Sequence, residues 1–138
     1  MSGENDSEKS EIKTAEELLL AGEACLNAGK FEDAIAIYKE IVKQEPRLPT
    51  LAKACNDCGV AYASLKMHEM AINFFNAALN LSAYLMDEGI STCINLGQVY
   101  KSLAEDDKAE EYFKRAEQLK REHKRREDEM KRAFSYVD

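Results

Sequence analysis

The chain has 138 residues, of which 33% are charged and 45% hydrophobic, and its net charge is −7 at pH 7. This length allows one domain, and the balance of residue types is that of a water-soluble helical protein. The negative charge argues against a general affinity for nucleic acid, because phosphate binding requires a basic surface. No segment approaches the roughly 20 apolar residues of a membrane span, so no membrane partner is expected.

The first ten residues are acidic and rich in serine, and we expect residues 1–13 to form a disordered N-terminal segment. This segment has neither the basic region nor the apolar core of a signal peptide. A cytoplasmic location is therefore expected, with the nucleus as the alternative. Thr14 and Glu17 then have the spacing of a capping box, in which each side chain accepts a backbone N–H at a helix start.

Turn signals and the helical spacing of apolar residues predict six helices. They are expected at about residues 14–27, 31–45, 51–64, 68–84 and 87–103, and from residue 106 onward. Pro46 ends the second helix, and Pro49 lies in the link to the third. After Gly97 the chain contains no glycine, proline or asparagine, so nothing forces the last helix to stop before about Ser135.

Five sets of residues recur along the chain with the same two offsets, 37 and 38 residues. The sets are Gly22, Gly59 and Gly97; Cys25, Tyr62 and Tyr100; Ala34, Ala71 and Ala109; Tyr38, Phe75 and Phe113; and Ile41, Ala78 and Ala116. Five columns in one register predict a repeat protein.

The order of residues within each unit is similar to the W-x2-L-G-x2-Y…A-x3-F…P pattern of tetratricopeptide repeats, from about residue 15 to residue 123. This resemblance implies an all-α fold, a right-handed α-solenoid of three helical hairpins. The repeats are expected at about 15–48, 52–85 and 90–123, within a repeat domain at 14–119. Residues 120–138 are expected to form a helical C-terminal extension.

The repeat pattern suggests how each hairpin packs. We expect the glycine to let the first helix approach the second, with the alanine opposite it, and the aromatic residue to fill the space between neighbouring helices. The spacing exceeds the family's usual 34 residues, and the extra residues are expected in the links between repeats, around 47–51 and 84–89.

Cys55 and Cys58 form a C-x2-C pair, which can indicate a metal or redox site. In the repeat register, however, all four cysteines fall in packing positions, where a free cysteine acts as a small hydrophobic residue. We therefore favour packing and expect no metal and no cofactor, with a cysteine-based metal or redox protein as the third alternative for function.

The two histidines, His68 and His123, have no serine, cysteine or carboxylate at a spacing that suggests a catalytic dyad or triad. Both are expected in solvent. No nucleotide-binding or calcium-binding motif is present in the sequence, so we expect no enzymatic activity.

The family resemblance implies that the first helices of successive repeats line a concave groove that holds a partner segment. Carried over by register, the groove residues are Leu19, Glu23, Leu26, Asn27, Lys53, Asn56, Val60, Ile94, Gln98 and Lys101, with Glu16, Ala63, Ser64, Ser91 and Ser102 beside them. The amides of Asn56 and Gln98 could hydrogen-bond a peptide backbone, above a floor of aliphatic side chains. The alternative is an ordinary solvated face.

Members of the family that bind chaperones resemble one another in a clamp of lysine, arginine and asparagine for an acidic C-terminus. The matching positions in this chain are Leu19, Glu23, Asp57, Ser91 and Asn95. Two of them are acidic and would repel a carboxylate, so binding of a chaperone's acidic C-terminus is not expected.

The last helix offers a second candidate surface. A basic block at residues 120–126 is either a solvated face or a contact for an acidic partner or RNA. At the helix tip, Met130, Phe134, Tyr136 and Val137 could mediate self-association, because exposed apolar side chains favour a partner.

These observations predict a non-catalytic adaptor or scaffold that binds a protein or peptide partner in its groove. The rival hypothesis is a structural protein that self-assembles into a homo-oligomer through its C-terminal helix.

Overall fold

The computed structural model of the chain describes residues 13–137. Within them lie six α-helices and no β-strand: α1 Ala15–Asn27, α2 Phe31–Lys43, α3 Leu48–Ser64, α4 His68–Asn80, α5 Ile90–Ser102 and α6 Asp106–Ser135, with a short 3-10 helix at Ser82–Tyr84. The N-terminal segment expected to be disordered lies, apart from Lys13, outside the described residues.

The helices form three hairpins that stack in chain order. In each hairpin the two helices pack together, α1 with α2, α3 with α4 and α5 with α6. Successive hairpins contact each other through α2 and α3 and through α4 and α5, while α1, α3 and α5 line up side by side. The predicted α-solenoid of three helical hairpins is therefore confirmed.

Some helix ends differ from the prediction. The third helix, α3, begins at Leu48 rather than near Leu51, with Pro49 in its first turn, where the missing N–H of proline costs no hydrogen bond. The extra residues at 47–51 therefore extend α3 rather than lengthening the link. The fourth helix, α4, ends at Asn80, and its expected last turn is a separate 3-10 helix.

The first helix begins where the capping box predicts. The Thr14 hydroxyl accepts a hydrogen bond from the backbone N–H of Glu17 at 3.1 Å and donates one to the Glu17 carboxylate at 3.2 Å. The hydroxyl therefore satisfies one of the orphan N–H groups of α1, as the sequence predicts, whereas the Glu17 carboxylate accepts from this hydroxyl and not from a backbone N–H.

One glycine–aromatic contact recurs in every hairpin. A Cβ atom added at Gly59 would lie 2.6 Å from the Phe75 ring. A Cβ atom added at Gly22 would lie 2.7 Å from the Tyr38 ring, and one added at Gly97 would lie 2.5 Å from the Phe113 ring. The atoms nearest each glycine belong to the ring of its own repeat, not to the alanine that we expected opposite it. The ring and the glycine thus set the distance between the helices of a hairpin.

The turns inside the three hairpins share one backbone conformation. Gly29 has a φ angle of 75°, and Lys66 and Ala104 stand at the equivalent positions with 59° and 58°. Glycine adopts this left-handed region without strain, whereas a residue with a Cβ does not. The repeat geometry therefore imposes the same turn even where the sequence lacks the glycine that signals it.

The last helix extends well beyond its hairpin. With 30 residues, α6 is about 45 Å long. Glu88, in the link before α5, accepts a hydrogen bond from Arg126 and lies 3.7 Å from His123 Nδ1. Beyond these contacts every side chain from Glu129 to Val137 is exposed.

We predict that Gly59→Ala destabilises the protein by about 1–3 kcal/mol, because the fully buried Phe75 ring occupies the space that the methyl group needs. This cost exceeds the roughly 1 kcal/mol by which alanine is the better helix former. Urea denaturation measures the difference.

The control is Asn73→Ala, at an exposed position of α4 in the same hairpin. Replacing the ring by a smaller side chain, in Phe75→Leu, should reduce the loss of stability caused by Gly59→Ala, which a double-mutant cycle measures. Equal stability of Gly59→Ala and wild type would contradict the contact.

Candidate functional site: the concave face

Helices α1, α3 and α5 form the face that the family resemblance predicts to be concave, and this face carries two pockets. The first, which we call the loop pocket, has a volume of about 450 Å³ and lies between α1, α3 and the link before α5. The second, the seam pocket, has a volume of about 270 Å³ and lies further along α3 and α5, against the start of α4.

The loop pocket has apolar walls and a charged rim. Leu19 of α1 and Pro49 of α3 face the link residues Tyr84, Leu85 and Met86. Tyr84 is 46% exposed and Met86 is fully exposed. The polar and charged lining residues of this pocket are Thr50, Lys53, Asn56, Asp87, Ser91 and Thr92. The link that makes the repeat spacing longer than usual thus forms one wall of the pocket.

The seam pocket is more polar. Val60, Ala63 and Val99 give it apolar walls beside the buried Phe75 ring, and its polar lining residues are Ser64, His68, Asn95, Gln98 and Ser102. Gln98 is exposed, so its amide can meet a ligand.

A charged cluster ties the first two hairpins together. Lys53 Nζ lies 3.1 Å from Glu23 Oε1 on α1 and 3.3 Å from Asp57 Oδ2 on its own helix. Thr50 Oγ1 also donates to Glu16 Oε1 at 3.4 Å, across the same helix pair. Lys53 is therefore already neutralised by the protein itself.

The pKa values of the charged groups on this face are shifted in different directions. Burial raises the pKa of Asp57, although Lys53 acts in the opposite direction. Burial lowers the pKa of Lys53, but the carboxylates of Asp57 and Glu23 raise it by more, so the pKa is raised overall. The effect of burial is limited because the Lys53 side chain is nearly half exposed. At Asp87, burial raises the pKa, but hydrogen bonds from Ser91 and Gly89 outweigh it and the pKa is lowered.

A hydrogen bond ties the second and third hairpins together. The hydroxyl of Thr92 on α5, which is 1% exposed, donates to Asn56 Oδ1 on α3 at 2.6 Å. The amide of Asn56 also donates to Asp57 Oδ1 at 3.3 Å. One donor and one acceptor site of the Asn56 amide, half of its hydrogen-bonding capacity, are therefore used inside the protein.

The residues expected in the groove fall into three groups. Leu19, Lys53 and Asn56 line the loop pocket, and Val60 and Gln98 line the seam pocket. Glu23 contacts Lys53 beside the first, and Leu26 and Ile94 are half-buried against the core. Asn27 and Lys101 are exposed at the ends of their helices.

Sequence reasoning missed the loop-pocket residues Tyr84, Leu85, Met86 and Asp87, because the family pattern has no equivalent of this link. It also missed that Glu23, Lys53 and Asn56 have structural partners in the neighbouring hairpin. The increased repeat spacing is the only sequence signal for Tyr84, Leu85, Met86 and Asp87. It places extra residues in the links between repeats but does not indicate that they line a pocket.

The four cysteines are unpaired, and three of them are buried. Burial raises the pKa of the Cys58 thiol to about 12 and also raises the pKa of Cys55 and Cys93. A buried neutral thiol is a poor nucleophile. Among residues 13–137, no group of three or more histidine, cysteine or acidic side chains is placed to hold a metal ion.

The histidines differ from the prediction in one case. His68, expected in solvent, lines the seam pocket, and its Nδ1 atom is buried with no hydrogen-bond partner among the described residues. His123 lies on α6 between Glu88 and Glu127, with its side chain 37% exposed.

The residues expected to form a contact at the C-terminal helix lie together at its tip. Met130 and Phe134 are 58% and 64% exposed, and Tyr136 and Val137 are 88% and 81% exposed.

The hairpins match a known family. The family model described as tetratricopeptide repeat matches residues 52–84 and 90–123, which are the second and third hairpins. The second and third hairpins are therefore tetratricopeptide repeats. Repeats of this kind serve in general as scaffolds for protein interaction and are typically non-catalytic, and the chain is a scaffold protein in this general sense.

The chain is also similar to chains of solved structures. Twenty-six chains match, among them residues 41 to the end of MamA from Desulfovibrio magneticus RS-1, with 22% identity and a TM-score of 0.46 over 78% of this chain and 76% of that one. No curated protein matches the chain. None of the described helices is both long and apolar enough to cross a membrane.

We predict that Asn56→Ala destabilises the protein by about 1–3 kcal/mol, because it leaves the buried Thr92 hydroxyl without its acceptor. Gln98→Ala, at an exposed position of the same face, should change stability by less than about 0.5 kcal/mol. Urea denaturation of both variants measures the difference, and equal effects would contradict the bridge between the hairpins.

We predict that Tyr38→Phe raises stability by about 1 kcal/mol, because the buried Tyr38 hydroxyl has no hydrogen-bond partner among the described residues. Repeats two and three carry phenylalanine at this position. Thermal unfolding measures the change, with Tyr136→Phe as the exposed control. A clear loss of stability in Tyr38→Phe would show that the hydroxyl is hydrogen-bonded.

Proposed function

We propose that the chain is an adaptor that holds an extended segment or a helix of a partner protein in its concave groove. The observation that supports this proposal best is the position of the two pockets. Both are lined by residues of α3 and α5, and each includes residues that the repeat register predicts for binding. A segment lying along this seam would meet both pockets at once.

The two pockets would contribute different interactions. In the seam pocket, the exposed amide of Gln98 and the hydroxyl of Ser64 can hydrogen-bond the backbone of a bound segment, beside the apolar surface of Val60. In the loop pocket, Leu19 and Met86 can contact an apolar side chain of that segment. Lys53 and Asn56 would then act chiefly by holding the hairpins in register.

The charge of the groove restricts the partner. Lys53 is already paired with Glu23 and Asp57, and Asp87 lines the same pocket as Lys53. We infer that an acidic segment, including a chaperone's acidic C-terminus, is repelled and that a neutral or basic segment is accepted.

The proposed role requires no catalysis. The buried thiols of Cys55, Cys58 and Cys93 are held neutral, so we do not assign them a redox or metal-binding function. Four unpaired cysteines fit a reducing compartment, and we infer a cytoplasmic or nuclear location.

A quantitative pull-down with mass spectrometry tests the adaptor role. The groove variant is Gln98→Lys, and the control is Gln118→Lys, an exposed glutamine on α6 that lines neither groove pocket. Partners of the wild-type chain should be depleted from the groove variant and retained by the control, because the added charge faces the bound segment. Asn56→Ala is unsuitable here, since it also disturbs the hairpin packing.

Calorimetry supplies a second arm. An acidic C-terminal peptide should show no binding, and micromolar affinity would contradict the charge argument. Equal retention of every partner by both lysine variants would contradict the adaptor role itself.

A further inference from the structure

The link before α5 forms a wall of the loop pocket but gains little from burial. Tyr84 is 46% exposed and Met86 is fully exposed, although both line the pocket. Glu88, two residues further on, has a φ angle of 58°, in the left-handed region that a residue with a Cβ adopts only with strain. Burial of Tyr84 and Met86 therefore contributes little to the position of this segment, so other contacts must hold it.

The last three residues of the link are each tied to a different helix. The Asp87 carboxylate accepts hydrogen bonds from the backbone N–H of Gly89 at 3.1 Å and of Ser91 at 2.8 Å, at the start of α5. A Cβ added at Gly89 would lie 3.1 Å from Leu79 Cδ2, so the link packs closely against the end of α4. Glu88, between these two residues, reaches α6.

Glu88 contacts α6 through both oxygens of its carboxylate. Oε2 accepts a hydrogen bond from Arg126 Nη2, and Oε1 lies 3.7 Å from His123 Nδ1. The Glu88 side chain is only 35% exposed, so solvent and salt screen this ion pair less than a fully solvated one. A hydrogen bond between an arginine and a carboxylate is also stronger than one between neutral groups.

The extension of α6 beyond its hairpin brings Arg126 to this position. Arg126 stands 38 residues after Glu88, which is the spacing between the second and third repeats. At this register position the second repeat has its link, whereas the third repeat continues as helix. The neighbouring Arg125 pairs with Glu129 on α6 itself, at 2.9 Å. Arg126, by contrast, joins the extension to the link.

We propose that Arg126 is a positioning residue for the loop pocket. By holding Glu88, it fixes the link whose residues Tyr84 and Met86 form the pocket wall, although Arg126 itself lines neither groove pocket. A wall that is ordered before binding loses less conformational entropy when a partner segment binds, which favours affinity. This inference rests on the proposed binding role of the concave face.

Hydrogen exchange of the full chain, followed by NMR, tests the link directly. The probes are the backbone amides of Leu85 and Glu88, which donate to the carbonyls of Ser82 and Leu85 at 3.1 Å. Arg126→Gln should speed their exchange about threefold, as expected for the loss of one partly exposed ion pair. Arg125→Gln removes an ion pair within α6, so it is the matched control and should leave their exchange as in wild type.

Two further variants separate the ion pair from a general loss of stability. Arg126→Lys keeps the positive charge and should retain most of the slow exchange. Glu88→Lys combined with Arg126→Glu reverses both charges, so exchange in this double variant should be slower than in either single variant. Urea denaturation should show equal global stability for Arg126→Gln and Arg125→Gln, because both positions are exposed on α6.

The pull-down supplies the functional readout. Arg126→Gln should capture less of the partners that Gln98→Lys depletes, because the wall that contacts them is less ordered. Arg125→Gln should capture these partners as wild type does.

Three results would overturn the proposal. Unchanged exchange of the link in Arg126→Gln would show that the ion pair does not hold it. Faster exchange at every protected amide of the chain would indicate general destabilisation instead. Faster exchange confined to the link, with undiminished capture, would show that the wall does not serve binding. A Gln98→Lys variant that loses no partner contradicts the adaptor role, whereas the exchange measurement needs no partner and still decides whether Arg126 holds the wall.

Discussion

The contact between a glycine and an aromatic ring in each hairpin is the constraint on which the rest of the structure depends. In the second hairpin the Phe75 ring lies where a side chain at position 59 would stand, and the other two hairpins repeat this arrangement. Because glycine has no side chain, the aromatic ring packs directly against its helix, and this contact sets the separation of the two helices in each hairpin. Since three similar hairpins then stack in chain order, α1, α3 and α5 line up along one face of the solenoid.

The polar residues of the concave face have two tasks. Lys53 joins α3 to α1, and Asn56 joins α3 to α5, so these side chains keep neighbouring hairpins in register. Gln98 and Ser64 have no such bridge and are exposed. A solenoid has few contacts between distant repeats, so its stability depends on these nearest-neighbour interactions. Binding and stability can therefore be separated by choosing which residue of the face is changed.

The sequence predicted much of the fold, because five columns in one register report directly on helix packing. It predicted the glycine–aromatic columns but not that the ring itself lies over the glycine, since a repeat pattern shows which residues recur and not which atoms touch. The loop pocket could not be predicted, because Tyr84 and Met86 lie in a link outside the repeat. The left-handed backbone conformation of the turns at Lys66 and Ala104 could not be predicted either, because neither residue type indicates a positive φ angle.

Nuclear Overhauser effects between the glycine Hα protons and the aromatic ring protons test the central claim most directly. The account predicts cross-peaks from the glycine of every hairpin to the ring of its own repeat. The expected pairs are Gly22 with Tyr38, Gly59 with Phe75, and Gly97 with Phe113. Gly29, which has no side-chain atom near it, should show none. Absence of these cross-peaks in any hairpin of the folded protein would contradict the claim that one contact spaces all three.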